Sequence, residues 1–249
     1  MRFFAILLTS LLFMTTTLAK PVEWQSLAKG IDYAVISYLQ PYSSSKLHAL
    51  RIDPSLYGLN LMTAQAIQRT AGFAATYAKT SKALIAINGG FFNPDYIPLG
   101  LRINEGKILF PVKPISWWGI FTLKNKKPNI ITNDEYKADS QIDFAIQAGP
   151  RLLIEGKVPQ LRETARTRSA LCIDHADQII MVVTEHLPLT PSALAHILRA
   201  TEIEGGLNCK NALNLDGGHS SQLYAKIAEK TISVPNLSPV ADAIIVKPL

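Results

Sequence analysis

Short runs of apolar residues, or of apolar residues alternating with polar ones, recur along the whole chain. Such runs are typical of β-strands, whose side chains point alternately to the two faces of a sheet. The chain is therefore expected to contain many short strands. The predicted strands are Ile31–Ser37, Leu47–Ile52, Leu84–Ile87, Gly100–Ile103, Trp117–Thr122, Phe144–Gln147, Ala170–Ile173, Ile179–Val183, Ala212–Leu215 and Ala243–Val246.

Two segments interrupt the strands with patterns typical of helices. The first, residues 64–79, is rich in alanine and follows Thr63, whose hydroxyl suits a helix N-cap. The second, residues 191–203, follows Thr190 and begins with Pro191, which suits the first helical position because its missing N–H costs nothing there. The apolar positions of the second helix, at i, i+3 and i+4, are Leu194, Ile197 and Leu198.

Many strands with two inserted helices predict an α+β fold rather than a regular βαβ repeat. We expect a mixed, largely antiparallel β-sheet core with a few packed helices, forming a single domain over residues 20–249. The segments Pro41–Lys46 and Lys124–Pro128 are expected to be loops between these elements.

The N-terminal residues have the layout of a secretory signal peptide. A basic start at Arg2 precedes an apolar stretch, Phe3–Phe13, and the small residues Thr17 and Ala19 suit cleavage before Lys20. The apolar stretch is shorter than the roughly 20 residues that span a bilayer, so an uncleaved anchor is the less favoured alternative. The sequence thus predicts a signal peptide over residues 1–19 and an exported protein, periplasmic or extracellular, with no stable membrane span after cleavage.

Composition and charge narrow the range of partners. Hydrophobic residues make up 48% of the 249 residues, which is enough for a packed core and excludes a disordered chain. The formal net charge is +6, and removal of residues 1–19 lowers it to +5 because only Arg2 is lost. An excess of basic residues favours binding to nucleic acid, to an anionic surface or to an acidic substrate. Since an exported protein does not normally meet nucleic acid, we expect no nucleic-acid partner.

The chain has two cysteines, Cys172 and Cys209. In an oxidising compartment they can form a disulfide, and two separate buried thiols fit the sequence equally well. Neither cysteine has the CxxC spacing or the nearby histidines of a zinc site.

Three segments differ from ordinary core or surface, and the first follows the strand that ends at residue 87. It contains Asn88, Gly89 and Gly90, followed by Phe91 and Phe92. Paired glycines at a strand end allow a ligand to approach backbone N–H groups closely. A tight turn carrying two core phenylalanines is the structural alternative.

The second segment carries three arginines, Arg162, Arg166 and Arg168, just before the predicted strand Ala170–Ile173. In an extended chain Arg166 and Arg168 point to the same side. Guanidinium groups bind phosphate or carboxylate through two parallel hydrogen bonds. A solvated basic loop, paired with Glu163, explains the same residues equally well.

The third segment places Asp216 at the end of a predicted strand, followed by Gly217 and Gly218 and then by the hydroxyls of Ser220 and Ser221. A carboxylate on such a turn, where glycines leave the backbone uncovered, suits catalysis or substrate orientation. The residues that follow would supply hydrogen-bond donors. An ordinary Asp-Gly hairpin turn is the structural alternative.

Common cofactor and catalytic motifs are absent from the sequence, among them GxSxG, HExxH, the P-loop and GxGxxG. Asp216 and Asn214 could ligate a hard cation such as Ca²⁺, but two oxygen-bearing side chains fall short of the six to eight oxygens that this ion takes. We therefore expect no cofactor and no metal site, with a divalent cation such as calcium not excluded.

Four segments together resemble the phosphodiester glycosidase family, in the order found there. The resemblance spans about residues 31–247, and this chain has His219 where many relatives have a third glycine. The family includes many exported bacterial proteins related to exopolysaccharide biosynthesis. The four segments are INGGFF at 87–92, AGPRLL at 148–153, RTRSALCID at 166–174 and NALNLDGGHSSQL at 211–223.

The resemblance implies cleavage of a sugar C1–O bond with a phosphate monoester as leaving group. Such a group is already stable as an anion, so the reaction needs cations to receive its charge more than a general acid. Arg166 and Arg168 fit that catalytic role, and Asp216 fits a nucleophile, base or electrostatic stabiliser of oxocarbenium character. Glu185 is a second carboxylate candidate, with a surface acid as the alternative. The predicted substrate-binding residues are Asn88, Gly89, Gly90, Gly217, Gly218, Ser220 and Ser221.

The sequence therefore predicts an exported hydrolase that acts on a glycosidic bond in a sugar-1-phosphodiester of an envelope or extracellular glycan. Its partner would be a carbohydrate or glycosyl-phosphate substrate. Two alternatives stay open. A non-catalytic glycan-binding or exopolysaccharide-assembly factor would bind a glycan without turnover, and a structural envelope protein held to anionic polymers by charge would show steep salt dependence.

Overall fold

A computed structural model describes residues 20–39 and 44–249 of the chain. The signal peptide predicted for residues 1–19 lies outside the described residues. Across the two described ranges, no helix is long and apolar enough to cross a membrane.

Strands dominate the described residues, and two α-helices interrupt them. The strands are, in chain order, β1 (Gln25–Ala28), β2 (Ile31–Leu39), β3 (Ser44–Ile52), β4 (Tyr57–Thr63), β5 (Ile85–Asn88), β6 (Arg102–Asn104), β7 (Lys107–Phe110), β8 (Gly119–Lys124), β9 (Lys127–Thr132), β10 (Ile142–Ala148), β11 (Arg151–Leu153), β12 (Ser169–Asp174), β13 (Ile179–Glu185), β14 (Cys209–Asn214), β15 (Leu223–Ile227), β16 (Lys230–Val234) and β17 (Asp242–Pro248). The helices are α1 (Ala74–Ser81) and α2 (Pro191–Arg199), and short 3₁₀ turns lie at Gln65–Ile67 and Gly218–Ser220.

The strands pair into three sheets, and every pairing of named strands in the described residues is antiparallel. The seven-stranded sheet has the order β1-β2-β3-β13-β12-β14-β11. The two five-stranded sheets have the orders β7-β6-β10-β8-β9 and β16-β15-β5-β17-β4. The three polar segments of the sequence therefore adjoin β5, β12 and β14, all of which lie inside their sheets.

One buried cluster takes side chains from all three sheets. Its members include Leu50 and Leu171 of the seven-stranded sheet, Phe121 of the first five-stranded sheet, and Ile87 and Ile244 of the second. Because successive side chains of a strand point to opposite faces, alternate apolar residues of each sheet fill this shared interior. The three sheets thus enclose a common core, which fixes the loops at their ends relative to one another.

The two helices cover the outer faces of two sheets. Leu194 and Leu198 of α2 pack in a second apolar cluster against the seven-stranded sheet, and Tyr77 of α1 packs against the sheet that contains β5. Thr190 caps α2 by accepting a hydrogen bond from the Ala193 N–H at 3.2 Å, as the sequence predicts. Amphipathic helices of this kind gain most of their stability from the buried face.

The predicted α+β class is correct in its antiparallel sheet core, but the fold contains more β-structure and less helix than that class implies. The predicted helix over 64–79 is wrong in its first part, because α1 begins only at Ala74. Thr63 instead accepts a backbone N–H in a 3₁₀ turn. The backbone of Gly72 pairs with that of Val240, and glycine is a poor helix former, so a continuous helix is broken there.

The two predicted loops are also partly strand. Lys124–Pro128 is a tight hairpin turn between β8 and β9, whose central residues Asn125 and Lys126 have φ of 50° and 63°. Turns with two positive φ angles match the twist of the strands that they connect. The segment Pro41–Lys46 is strand from Ser44 onward, and the rest of it lies outside the described residues.

Cys172 and Cys209 form a disulfide, with their Cα atoms 5.9 Å apart. The two residues lie on the neighbouring strands β12 and β14 and are both buried beneath α2. Of the two states that the sequence left open, the structure contains the bonded one.

Candidate functional site

A cavity of about 970 Å³ opens where the ends of several strands meet. Its wall is built from the end of β14 and the residues that follow it, the residues before β12 and β8, and the turn between β10 and β11, with further contributions from the segment after β5 and the start of α2. This volume lies at the upper end of the range for small-molecule sites, which is roughly 300–1,000 Å³. The lining includes Phe91, Trp117, Arg166, Arg168, Asn214 and Asp216.

Asp216 lies two residues beyond the end of β14 and is held in place by β5. Its N–H donates to the carbonyl of Gly89 at 3.3 Å, and its carbonyl accepts from Nδ2 of Asn88 at 2.9 Å. The Gly217 N–H donates to Oδ1 of Asp216 at 2.9 Å. These contacts from two sheets fix the carboxylate at the cavity wall.

Burial raises the pKa of Asp216 above the usual range of an aspartate, because removal from water disfavours the charged form. Hydrogen bonds from Ser220 and from the Gly217 N–H oppose this increase. The Asp242 carboxylate raises the pKa of Asp216 further, and the Arg102 guanidinium lowers it. A desolvated acid in a cavity is a candidate functional group.

Asn88 is fully buried and does not line the cavity. Its Nδ2 donates to the carbonyls of Gly89 and Asp216, at 3.1 and 2.9 Å. Its Oδ1 accepts from the Ser169 hydroxyl at 2.7 Å and from the Gln222 N–H at 3.1 Å. Since the side-chain amide has two donors and two acceptor sites, its capacity is used inside the protein. We therefore leave Asn88 out of the proposed substrate contacts and treat it as a positioning residue for Asp216.

Gly89 and Gly90 pack against a buried ion pair rather than the cavity. A Cβ on Gly89 would lie 1.9 Å from Oδ1 of Asp242, and a Cβ on Gly90 would lie 2.7 Å from Nη2 of Arg102. Arg102 and Asp242 are themselves joined by an Nε–Oδ2 contact of 2.7 Å, with side-chain exposures of 0% and 1%. The glycines thus allow the backbone after β5 to lie directly on this pair, and we leave both out of the proposed substrate contacts.

Gly89→Ala is expected to destabilise the protein by about 1–3 kcal/mol, because the new methyl group must displace the buried Asp242. Denaturant unfolding measures the change. The matched control is Gly58→Ala, whose Cβ would meet only the flexible end of Leu249 at 3.1 Å. Equal stability of the two variants would contradict this packing role.

The turn after Asp216 also uses its N–H groups internally. The Gly218 N–H donates to the carbonyl of Thr167 at 2.8 Å, the Ser220 N–H to that of Gly217 at 3.2 Å, and the Ser221 N–H to that of Gly218 at 3.1 Å. Gly217 and Gly218 line the cavity, but the backbone donors predicted for substrate are occupied by the protein in this structure. The Ser220 hydroxyl instead acts on the neighbouring Asp216 carboxylate, whose pKa it lowers.

Arg166 and Arg168 line the cavity at different depths. Arg168 is 8% exposed; its Nε donates to the carbonyl of Leu189 at 2.9 Å and its Nη2 to that of Thr164. Its Nη1 makes no hydrogen bond to a described residue. Burial and the neighbouring Arg166 lower the pKa of Arg168, but a guanidinium stays charged in proteins. Arg166 and Arg162, both exposed, add positive charge to the same wall.

Glu185, at the end of β13, lies outside the cavity lining. Its Oε2 is 3.1 Å from Nε2 of His48, and Nδ1 of the same ring is 2.7 Å from the Tyr33 hydroxyl. Burial, together with the Glu185 charge, raises the pKa of Tyr33 to about 12. Because Glu185 is engaged on the seven-stranded sheet, we leave it out of the proposed site.

Asn214 lines the cavity beside Asp216, although it is only 3% exposed. Its Nδ2 donates to the carbonyls of Gly149 and Leu215, at 3.1 and 2.5 Å, whereas its Oδ1 is buried with no hydrogen-bond partner among the described residues. Within the same residues, no three or more His, Cys, Asp or Glu side chains form a group that could hold a metal ion.

Trp117 is a part of the cavity wall that the sequence did not single out. Trp117 is predicted inside a strand, but β8 begins at Gly119 and Trp117 precedes it with 58% of its surface exposed. The Phe91 ring lies 6.5 Å from that of Trp117. Nothing in the sequence separates an aromatic residue of the core from one that lines a cavity, so this part of the site was not predictable.

Comparisons with solved structures show a shared fold. A hypothetical protein from Synechocystis is similar with a TM-score of 0.62 and 17% identity, covering 92% of this chain and 64% of that one. The catalytic domain of zebrafish N-acetylglucosamine-1-phosphodiester alpha-N-acetylglucosaminidase, auto-inhibited by its pro-peptide, is similar with a TM-score of 0.66 and 16% identity, covering 91% of this chain and 88% of that one.

Sequence comparisons identify a relative and a matching protein family. The uncharacterized protein YigE of Escherichia coli (strain K12) is 28% identical over 158 residues, which is 57% of this chain and 58% of YigE. The chain thus matches little more than half the length of this relative. The profile of the phosphodiester glycosidase family matches residues 81–247, a range that contains Asp216, both neighbouring glycines and the cavity arginines. Together with the shared fold, this match shows that the chain belongs to the phosphodiester glycosidase family.

Proposed function

We propose that the chain is an exported hydrolase that cleaves the glycosidic bond of a sugar-1-phosphodiester in an envelope or extracellular glycan. The observation that carries the proposal is the placement of Asp216, Arg166 and Arg168 around one cavity. Cleavage of a sugar-1-phosphodiester requires groups of both charges, a carboxylate near C1 and cations near the phosphate. The zebrafish relative is named for action on an N-acetylglucosamine-1-phosphodiester, which supports the same class of bond here.

In the proposed reaction the bond between C1 and the phosphate oxygen breaks, and the leaving phosphate monoester keeps the electron pair. The oxygen of a water molecule forms the new bond to C1, and a proton of that water is released. Arg166 and Arg168 bind the leaving phosphate, with Nη1 of Arg168 as a donor that no described residue occupies. Because these cations receive the developing charge, protonation of the leaving oxygen contributes little.

Asp216 supplies the negative charge that stabilises positive charge at C1. The burial that raises its pKa also strengthens this attraction, since less water screens the carboxylate. Nucleophile, base and electrostatic stabiliser all require the ionised form. The rate is therefore expected to fall as the pH falls through the raised pKa of Asp216.

Ser220→Ala tests this pH dependence. The Ser220 hydrogen bond lowers the pKa of Asp216, so its removal raises that pKa further and moves the acidic limb of kcat/KM to higher pH. The matched control is Ser221→Ala, because the Ser221 hydroxyl is buried without a hydrogen-bond partner among the described residues. An acidic limb that stays in place in Ser220→Ala, or moves equally in both variants, would contradict the assignment of Asp216.

Export is supported by two observations. The N-terminal pattern is that of a signal peptide, and the bond between Cys172 and Cys209 is of a kind that persists in oxidising compartments. We therefore place the proposed substrate in the envelope or outside the cell.

A hydrolysis screen tests the proposed function. The purified protein is incubated with glycosyl phosphodiesters and with 4-nitrophenyl glycosides of the same sugars, and released sugar is measured. We expect hydrolysis of a phosphodiester and a rate for it that falls in Arg166→Ala, because that side chain receives the phosphate. Binding of the phosphodiesters without any turnover would overturn the proposal and favour a glycan-binding role.

A further inference from the structure

The cavity wall has two chemically different parts, and Asp216 lies in the chain segment that joins them. On one side, a Cβ on Gly217 would lie 4.0 Å from Nη1 of Arg168, and a Cβ on Gly218 would lie 3.8 Å from Cδ of Arg166. The arginines thus adjoin the turn that follows Asp216. This part of the wall is the one suited to an anion.

The other part begins at Asn214, which precedes Asp216 in the chain. Its Nδ2 donates to the carbonyl of Gly149 at 3.1 Å. A Cβ on Gly149 would in turn lie 3.2 Å from the Trp117 carbonyl and 2.9 Å from Cδ1 of Trp118. Contacts therefore link the two tryptophans to Gly149 and Gly149 to Asn214, and the turn after Asp216 to the arginines.

Trp117 is exposed but held in a packed aromatic group. Its ring centroid lies 5.8 Å from that of Trp118 and 6.5 Å from that of Phe91, and the rings of Phe91 and Trp118 stack at 4.9 Å. Trp118 is only 5% exposed, so the group is anchored in the protein. An indole of this size held at a cavity wall with 58% of its surface exposed offers an apolar, flat surface to a ligand.

Asn214 offers the complementary polar contact. Asn214 lines the same cavity, and its Oδ1 is buried and has no donor among the described residues. A buried acceptor without a partner costs free energy unless a ligand or water donates to it. A hydroxyl group is a donor of the right kind.

We propose that Trp117 and Asn214 form the subsite for the sugar ring, with the indole stacked on an apolar ring face and Oδ1 of Asn214 accepting a hydrogen bond from a ring hydroxyl. This inference deepens the proposed function and rests on it for the direction of the substrate. With the phosphate at the arginines and C1 at Asp216, the ring extends toward Asn214 and Trp117. A pyranose suits these two groups, because its faces carry C–H groups and its edge carries hydroxyls.

The test is a binding measurement that needs no turnover. Saturation-transfer NMR and titration calorimetry measure the binding of free N-acetylglucosamine, glucose, galactose and mannose, and separately of inorganic phosphate, to the full mature chain. Trp117→Ala is expected to weaken the binding of the sugar that the wild type binds best by about tenfold and to leave phosphate binding unchanged. Trp117→Phe, which keeps a flat ring, is expected to retain most of the sugar affinity.

The control is Ile108→Ala, because Ile108 is an apolar residue with a similar exposure of 56% that does not line the cavity. It should leave both affinities unchanged. Equal sugar binding by the wild type and Trp117→Ala, or no binding of any of the four sugars by the wild type, would overturn the subsite. A protein that binds sugar at Trp117 but hydrolyses no phosphodiester would overturn the proposed function and leave the subsite intact.

Discussion

Asp216→Asn is expected to reduce the hydrolysis of a glycosyl phosphodiester by about a thousandfold or more, without loss of stability. The neutral amide cannot stabilise positive charge at C1 or act as nucleophile or base. Its oxygen can still accept the hydrogen bond from the Gly217 N–H, so the turn after β14 should keep its conformation. Initial rates at saturating and limiting substrate measure the loss.

The stability of Asp216→Asn provides an independent check. The pKa of Asp216 is higher in the folded state than in the unfolded state. The wild type therefore loses stability as the pH rises from the unfolded-state pKa through the folded-state pKa. The variant lacks this loss, and at neutral pH it should unfold at the same or a higher denaturant concentration. The control is Asp143→Asn, an exposed carboxylate on β10, which should change neither rate nor stability. A destabilised Asp216→Asn with an unchanged rate would mean that the carboxylate serves the fold alone.

Arg102→Met is expected to have the largest effect on stability, a loss of about 3–5 kcal/mol, which corresponds to a Tm lower by roughly 10 °C. The change leaves the Asp242 carboxylate buried without its cation. It also removes donors from the carbonyls of Leu99, Leu101 and Gln147, to which Nη1 of Arg102 donates at 3.0–3.2 Å. Calorimetry across a pH series measures the loss.

The pH series also tests whether the loss of stability in Arg102→Met grows or shrinks as the pH falls. Burial raises the pKa of Asp242 and Arg102 opposes that increase, so the variant should raise it further. A folded pKa above the unfolded value means that stability is lost as the pH rises, and the defect should therefore be smaller at acid pH. The control is Lys124→Met, which breaks the partly exposed contact with Asp139 and should have a much smaller effect. Equal unfolding temperatures for the two variants would contradict the role of the buried pair.

The strands and the polar segments at their ends were predictable because both depend on short-range patterns. Continuous runs of apolar residues located β12 and β13, whose side chains alternately enter the shared core and the apolar cluster beneath α2. The carboxylate and the paired glycines at Asp216 predicted a functional turn, and this turn lines the cavity. Local sequence carries this information because strand faces and turn conformations depend on neighbouring residues.

The roles of the two glycine pairs could not be separated in the same way. Gly89 needs to be small because Asp242, far away in the chain, packs against it, whereas Gly217 lines the cavity. The two pairs look alike in the sequence. A glycine indicates that there is little room for a side chain, but it does not show whether a buried group or a cavity lies beside it. The Arg102–Asp242 pair and the exposed face of Trp117 likewise depend on contacts between sheets, which strand patterns do not encode.

The central claim, that water attacks C1 and the bond from C1 to the phosphate oxygen breaks, can be tested with isotopically labelled water. Hydrolysis of a glycosyl phosphodiester in H₂¹⁸O is followed by ³¹P NMR, in which ¹⁸O bonded to phosphorus shifts the phosphate resonance. Our account predicts a phosphate monoester product that contains no ¹⁸O. A product with ¹⁸O on phosphorus would show attack at the phosphate and would contradict a glycosidase mechanism at Asp216.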